Sequence, residues 1–144
     1  MEARKNSRKI AVQAVFQFFF SKQDINLILE EFCIYRIKEN IRSKSKYDID
    51  FLKKIVVGVQ ENEKKIISLI ECNLSQDWLI NRLDPTMQAI ISLAIYELIN
   101  CKDIPLKVII NEYVSIARQY LDDGNIGFVN GILDNLAKKI RIEQ

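Results

Sequence analysis

The stretch from Asp84 to Asn100 limits the folds open to this chain more than any other. Asp84-Pro85 is a strong helix start, an N-capping aspartate with proline at the first helical position, where its missing N–H costs nothing. Behind it come Ile90, Ile91, Leu93, Ala94, Ile95, Leu98 and Ile99. At 100° per residue these side chains surround nearly the whole helix, so no side can face water cheaply. A helix of this kind has to be enclosed by other helices, and the spacing predicts that 85–100 is the buried centre of a bundle.

The rest of the chain reads as the enclosing shell, an all-α arrangement of about seven helices with no convincing strand. Only four Gly and two Pro occur in 144 residues, too few to punctuate a fold of many tight turns. A first helix is predicted from near Ser7 to Phe20, with Ser7 or Asn6 as N-cap, and a second after Asp24. One long amphipathic helix starts around Asp48 and carries Phe51, Leu52, Ile55, Val56, Val59, Ile66, Ile67 and Ile70. The polar, basic stretch Ile41–Lys46 reads as a loop, and a short helix covers roughly Gln76 to Arg82. After Asp103-Ile104-Pro105 comes a helix with Val108, Ile109, Tyr113, Ile116, Ala117 and Tyr120 inward. Asp122–Asn125 reads as a turn. The last helix places Val129, Ile132, Leu133, Leu136 and Ile140 on one face, with Asp134, Lys138 and Arg141 opposite, and Gly131 as a point of close packing. Short connections imply a compact bundle forming one domain over 1–144, with helical halves of about 1–72 and 73–144.

Several function classes find little support. The chain has no histidine, which removes imidazole-based nucleophile activation and His metal ligands. Cys33, Cys72 and Cys101 are far apart and odd in number, without CxxC spacing, as expected of reduced thiols rather than a zinc site. The carboxylate pairs Glu30-Glu31, Asp122-Asp123 and Glu61 with Glu63 have no accompanying base or Gly-rich phosphate loop. No catalytic residue, cofactor or metal site is expected. Gln13 and Gln17 interrupt the apolar run that follows the basic head, which argues against a secretory signal and for a cytoplasmic protein.

The local feature most suggestive of binding is Arg4-Lys5-Asn6-Ser7-Arg8-Lys9, four cations at a helix start in a chain whose net charge is only +2. A phosphate there would relieve repulsion with the helix dipole and meet free N–H groups, although a solvated basic end is the plainer reading. Phe16, Phe18, Phe19 and Phe20 follow, spread over more than half the helix surface. Either the helix is sandwiched or a ring awaits a partner. A basic rim beside an accessible ring is what single-stranded RNA uses. Further cations at Arg42, Lys44 and Lys46, and at Lys138, Lys139 and Arg141, fit ordinary solvated surface equally well.

Asp103-Ile104-Pro105-Leu106-Lys107-Val108-Ile109-Ile110-Asn111-Glu112 resembles the "DIP-x-KV-x-INE" element of the NusB family, and Phe128–Asp134 its "FVNGVLD". Ala94–Leu98 is similar to "A-x-YEL", Trp78 with Arg82-Leu83-Asp84 to "W-x(3)-RLD", and Ala11–Ala14 to "AVQA". The set is colinear over essentially the full chain. This resemblance implies two small three-helix subdomains packed together, and a transcription antitermination role. It implies binding of single-stranded boxA RNA together with NusE, a protein of the small ribosomal subunit, in a complex with RNA polymerase and other Nus factors that favours transcription of ribosomal RNA operons. Homodimers occur in the family. Carried over by position, Arg4, Lys5, Arg8 and Phe16 would meet RNA, and Asp84, Met87 and Gln88 would face NusE. Asn6, Ser92 and Gly127 stand where relatives often carry a cation, which implies a gentler salt dependence. Two other readings stay open. One is a targeting module related to RNA cytosine methyltransferases, which would lead into a methyltransferase domain after Gln144. The other is a helical protein–protein adaptor that has lost RNA binding.

Overall fold

Four aspartates start four of the helices. In each case a carboxylate accepts a hydrogen bond from a backbone N–H that the first turn leaves without a helical partner. Asp24 caps α2 (Ile25–Phe32), Asp48 caps α3 (Ile49–Glu61), Asp84 caps α5 (Pro85–Asn100) and Asp122 caps α7 (Asp123–Ile140). With α1 (Glu2–Ser21), α4 (Glu63–Cys72) and α6 (Leu106–Tyr120) these make seven helices in the computed structural model, which describes residues 2–34, 46–74 and 83–141. No strand occurs among the described residues. The basic residues Arg42 and Lys44, the helix predicted over 76–82 and Trp78 lie outside them.

The central position of α5 follows its sequence. Every residue from Ala89 to Leu98 is buried, and α5 packs against α1, α3, α4, α6 and α7. Close approach is visible where α3 crosses it. A Cβ on Gly58 would fall 2.7 Å from Cδ1 of Tyr96 and closer still to Cε1 and Cζ, so only glycine admits this contact. Gly131, expected to serve that purpose, has open space around its Cα and lies on the exposed side of α7.

Other local expectations are also corrected. The long helix from Asp48 to Ile70 is two helices, broken at Asn62 (φ −110°, ψ 20°). The Asn62 amide donates to the Gly58 carbonyl at 2.8 Å, the local side-chain-to-backbone competition that makes asparagine a poor interior helix residue. The 122–125 turn is instead the capped first turn of α7. Arg141 does not point to solvent. Its buried guanidinium donates to the carbonyls of Leu98, Cys101 and Ile104 at 2.7–3.0 Å, tying the end of α5 to the turn that follows it.

The first helix begins at Glu2, ahead of both predicted caps, and Ser7 caps nothing. Its hydroxyl is buried, accepts from the Asp48 N–H (2.8 Å) and donates to the Asp48 carbonyl (3.1 Å). Asn6 donates to the Lys46 carbonyl. Both side chains therefore clip the entry to α3 onto the flank of α1. Ala11, Ala14 and Val15 are fully enclosed, and α1 packs on α2, α3, α5 and α6. Of the two outcomes open for its aromatic run, enclosure holds for Phe18 and Phe19, which pack on the core, while Phe16 and Phe20 stay exposed. The helix ends at Lys22, whose φ of 57° lies in the left-handed region.

Candidate nucleic-acid interface

The four cations of the α1 head point in different directions, because each turn of the helix meets a different neighbour. Arg4 reaches sideways to α3, 3.5 Å from the Asp48 carboxylate and 4.7 Å over the Phe51 ring. Arg8 points inward. It is 4% exposed, and its Nε and Nη2 donate at 2.9 Å each to the two oxygens of Glu97, itself fully buried in α5. The same carboxylate accepts from the Tyr113 hydroxyl of α6, and the Arg8 guanidinium lies 5.1 Å over Phe51 of α3. A phosphate cannot reach it without dismantling the core. The assignment of Arg8 to RNA contact is therefore corrected: it is an internal pin joining α1, α3, α5 and α6.

The electrostatics agree. Burial pulls the Arg8 pKa down, but the hydrogen bond and charge of Glu97 outweigh it and leave the value raised. Tyr113 is held well above the ordinary tyrosine value, first by burial and then by the Glu97 carboxylate. Cation, carboxylate and neutral phenol thus form one satisfied network, the condition under which buried charge is tolerated.

Lys5 and Lys9 are half-buried, and neither has a hydrogen-bond or ion-pair partner among the described residues. Further along α1, Phe16 is 36% and Phe20 77% exposed. Their rings stack at 6.1 Å between centroids and 9° between planes. Phe18 and Phe19 turn the other way and pack on the core. Lys9 and Phe20 belong to the basic head and the aromatic run read from the sequence, but neither is among the residues assigned there to RNA. The signal was present, since both lie on the solvent stripe that contains Lys5 and Phe16.

Phe20 forms a ridge between two grooves. One, of about 360 Å³, lies among Gln13, Phe16, Phe32, Thr86 and Tyr120, and the other, of about 610 Å³, among Phe18, Lys22, Leu83, Pro85 and Gln88. Phe16 and Gln88, far apart in sequence, are thereby brought to the two sides of one ridge. Asp84 is exposed, with its carboxylate engaged by the N–H groups of Thr86 and Met87. Met87 is 4% exposed and belongs to the core, so its assignment to a partner surface is corrected. Ser92 is fully buried in α5 with its hydroxyl unpaired among the described residues, so a serine there removes no cation from the surface. Lys139 donates to Asn73 at the end of α4.

The fold and this surface define an all-helical binding scaffold, with its outward chemistry on one helix and its charged network closed inside. A sequence profile of the NusB family matches residues 5–138. The transcription antitermination protein NusB of Bartonella tribocorum is 36% identical over 141 residues, covering 96% of this chain and 90% of that protein. The solved structure of T. maritima NusB superposes with a TM-score of 0.81 at 34% identity, covering 96% of this chain and 94% of that one. A chain from the solved complex of the antitermination factors NusB and NusE with double-stranded RNA superposes with a TM-score of 0.82 at 25% identity, covering 96% and 98%. The chain belongs to the NusB family. No helix among the described residues is long and apolar enough to cross a membrane.

Proposed function

We propose that this protein is a transcription antitermination factor that binds single-stranded boxA RNA together with NusE, acting in the cytoplasm without catalytic chemistry of its own. The observation that carries the reading is family membership across nearly the whole chain, joined to a superposable chain taken from a NusB–NusE–RNA complex. Lys5 supplies phosphate contact and Phe16 a ring for a base, with Arg4 at the edge of the same end of the molecule. Phosphates fix register, and stacking with base-edge contacts supplies selectivity. Asp84 and Gln88, beside the groove beneath Phe20, face NusE. Arg8 serves indirectly by holding α1 on the core. Assembly with RNA polymerase and other Nus factors follows from the same role.

A fluorescence-anisotropy titration with boxA-like and scrambled RNA, with and without NusE, tests the reading. Tighter binding of the boxA-like strand, enhanced by NusE, is expected. Equal weak binding of both strands in both conditions overturns it.

A further inference from the structure

On an α-helix of 3.6 residues per turn, Lys5, Lys9, Phe16 and Phe20 fall within about 60° of arc, and Gln13 lies just beside them. The other helices leave this stripe of α1 partly open: Phe16 and Phe20 are exposed and Lys5, Lys9 and Gln13 half-buried, while Ser7, Arg8, Ala11, Ala14 and Val15 on the remaining faces are buried. Lys5 and Lys9 are about 6 Å apart along the axis, and Lys9 and Phe16 about 10 Å. Between Lys5 and Phe20 the helix carries no acidic residue. The Phe16–Phe20 stack presents two nearly parallel rings at the far end.

Resting on the antitermination reading above, we infer that Lys9 and Phe20 extend the RNA contact beyond Lys5 and Phe16. A single strand lies along α1, with phosphates at Lys5 and Lys9 and a base against the Phe16–Phe20 stack. Lys9 takes the place on the surface that Arg8, turned into the core, cannot fill. An unbroken cationic-then-aromatic row favours a single-stranded nucleic acid over a protein segment, because phosphates complement both lysines and any base offers a face to the rings. The Gln13 amide, lying between them, carries both donors and acceptors suited to a base edge.

The test uses the full-length chain with NusE and single-stranded boxA-like RNA, titrated across salt concentrations, for the wild type, Lys9→Gln and Phe20→Ala. Both positions are on the surface, and circular dichroism confirms that the variants fold. Lys9→Gln should reduce the slope of log K against log salt by about 0.7, the loss of one single-strand phosphate contact. Phe20→Ala should weaken binding about ten-fold or more with the slope unchanged. NusE affinity measured without RNA should be the same in all three proteins. Wild-type RNA affinity and slope in both variants would overturn the inference while leaving the antitermination reading in place. Loss of NusE affinity in Phe20→Ala, with RNA affinity intact, would assign the rings to the protein partner and overturn it too. A wild type that fails to bind RNA at all overturns both.

Discussion

Replacing Arg8 with methionine separates an internal role from a surface one. The substitution leaves the Glu97 carboxylate fully buried with the Tyr113 hydroxyl as its remaining donor. Removing one partner of a buried ion pair typically costs about 3–5 kcal/mol, because the surviving charge has lost both water and its counterion. Against a domain stability of roughly 5–15 kcal/mol, that is a large fraction. For a chain of this size each kcal/mol moves the midpoint by a few degrees, so Tm should fall by roughly 10 °C or more. Thermal and urea unfolding followed by circular dichroism measure this directly. The salt slope of RNA binding, taken well below the midpoint, should be unchanged, since Arg8 touches no phosphate. Replacing the network together, as Arg8→Met with Glu97→Met and Tyr113→Phe, should recover most of the loss, because apolar groups of similar volume leave neither a charge nor a hydroxyl unsatisfied. An Arg8→Met protein that melts like the wild type but has a slope lower by about 0.7 would refute the argument and return Arg8 to the RNA surface.

Other expectations follow from the same packing. Gly58→Ala should destabilise by about 1–3 kcal/mol because its methyl meets the Tyr96 ring, whereas Gly131→Ala, in open space within a helix, should stabilise by up to about 1 kcal/mol; denaturant midpoints give both signs. Because the folded-state pKa of Tyr113 is raised above its ordinary 10.0, the protein should hold this part of its stability below about pH 10 and lose it as pH rises beyond that toward the folded value. The unfolded chain ionises there first, and Tyr113→Phe should flatten the loss in alkaline urea titrations. Burial pushes the Cys101 thiol up, while Cys72 is exposed, so a maleimide should label Cys72 in the native state and reach Cys101 only on unfolding, as mass spectrometry of peptides would show.

Much of the architecture could be read without coordinates, because helix formation here is governed by neighbours in sequence. Aspartate caps act over two or three residues, and Asp24, Asp48 and Asp84 were visible as helix starts for that reason. The enclosure of α5 followed from its apolar circumference, and the ordered family motifs needed no fold at all. Some residues were misassigned although their register was informative. Arg8 stands three, four and seven residues before Ala11, Val12 and Val15, and Met87 stands likewise before Ile90, Ile91 and Ala94, so both fall in line with buried stripes. What local pattern could not supply was the partner. Arg8 is neutralised by a carboxylate 89 residues away, Arg141 donates to carbonyls about 40 residues away, and Gly58 is required by a ring on another helix. Whether a cation is solvated or internal depends on which acceptors the fold brings beside it, a carboxylate for Arg8 and converging carbonyls for Arg141, since burial without such partners costs a large fraction of a small domain's stability. Helix content and the identity of the central helix thus came from sequence, while only the tertiary structure decided which side chains of α1 face outward to meet a ligand.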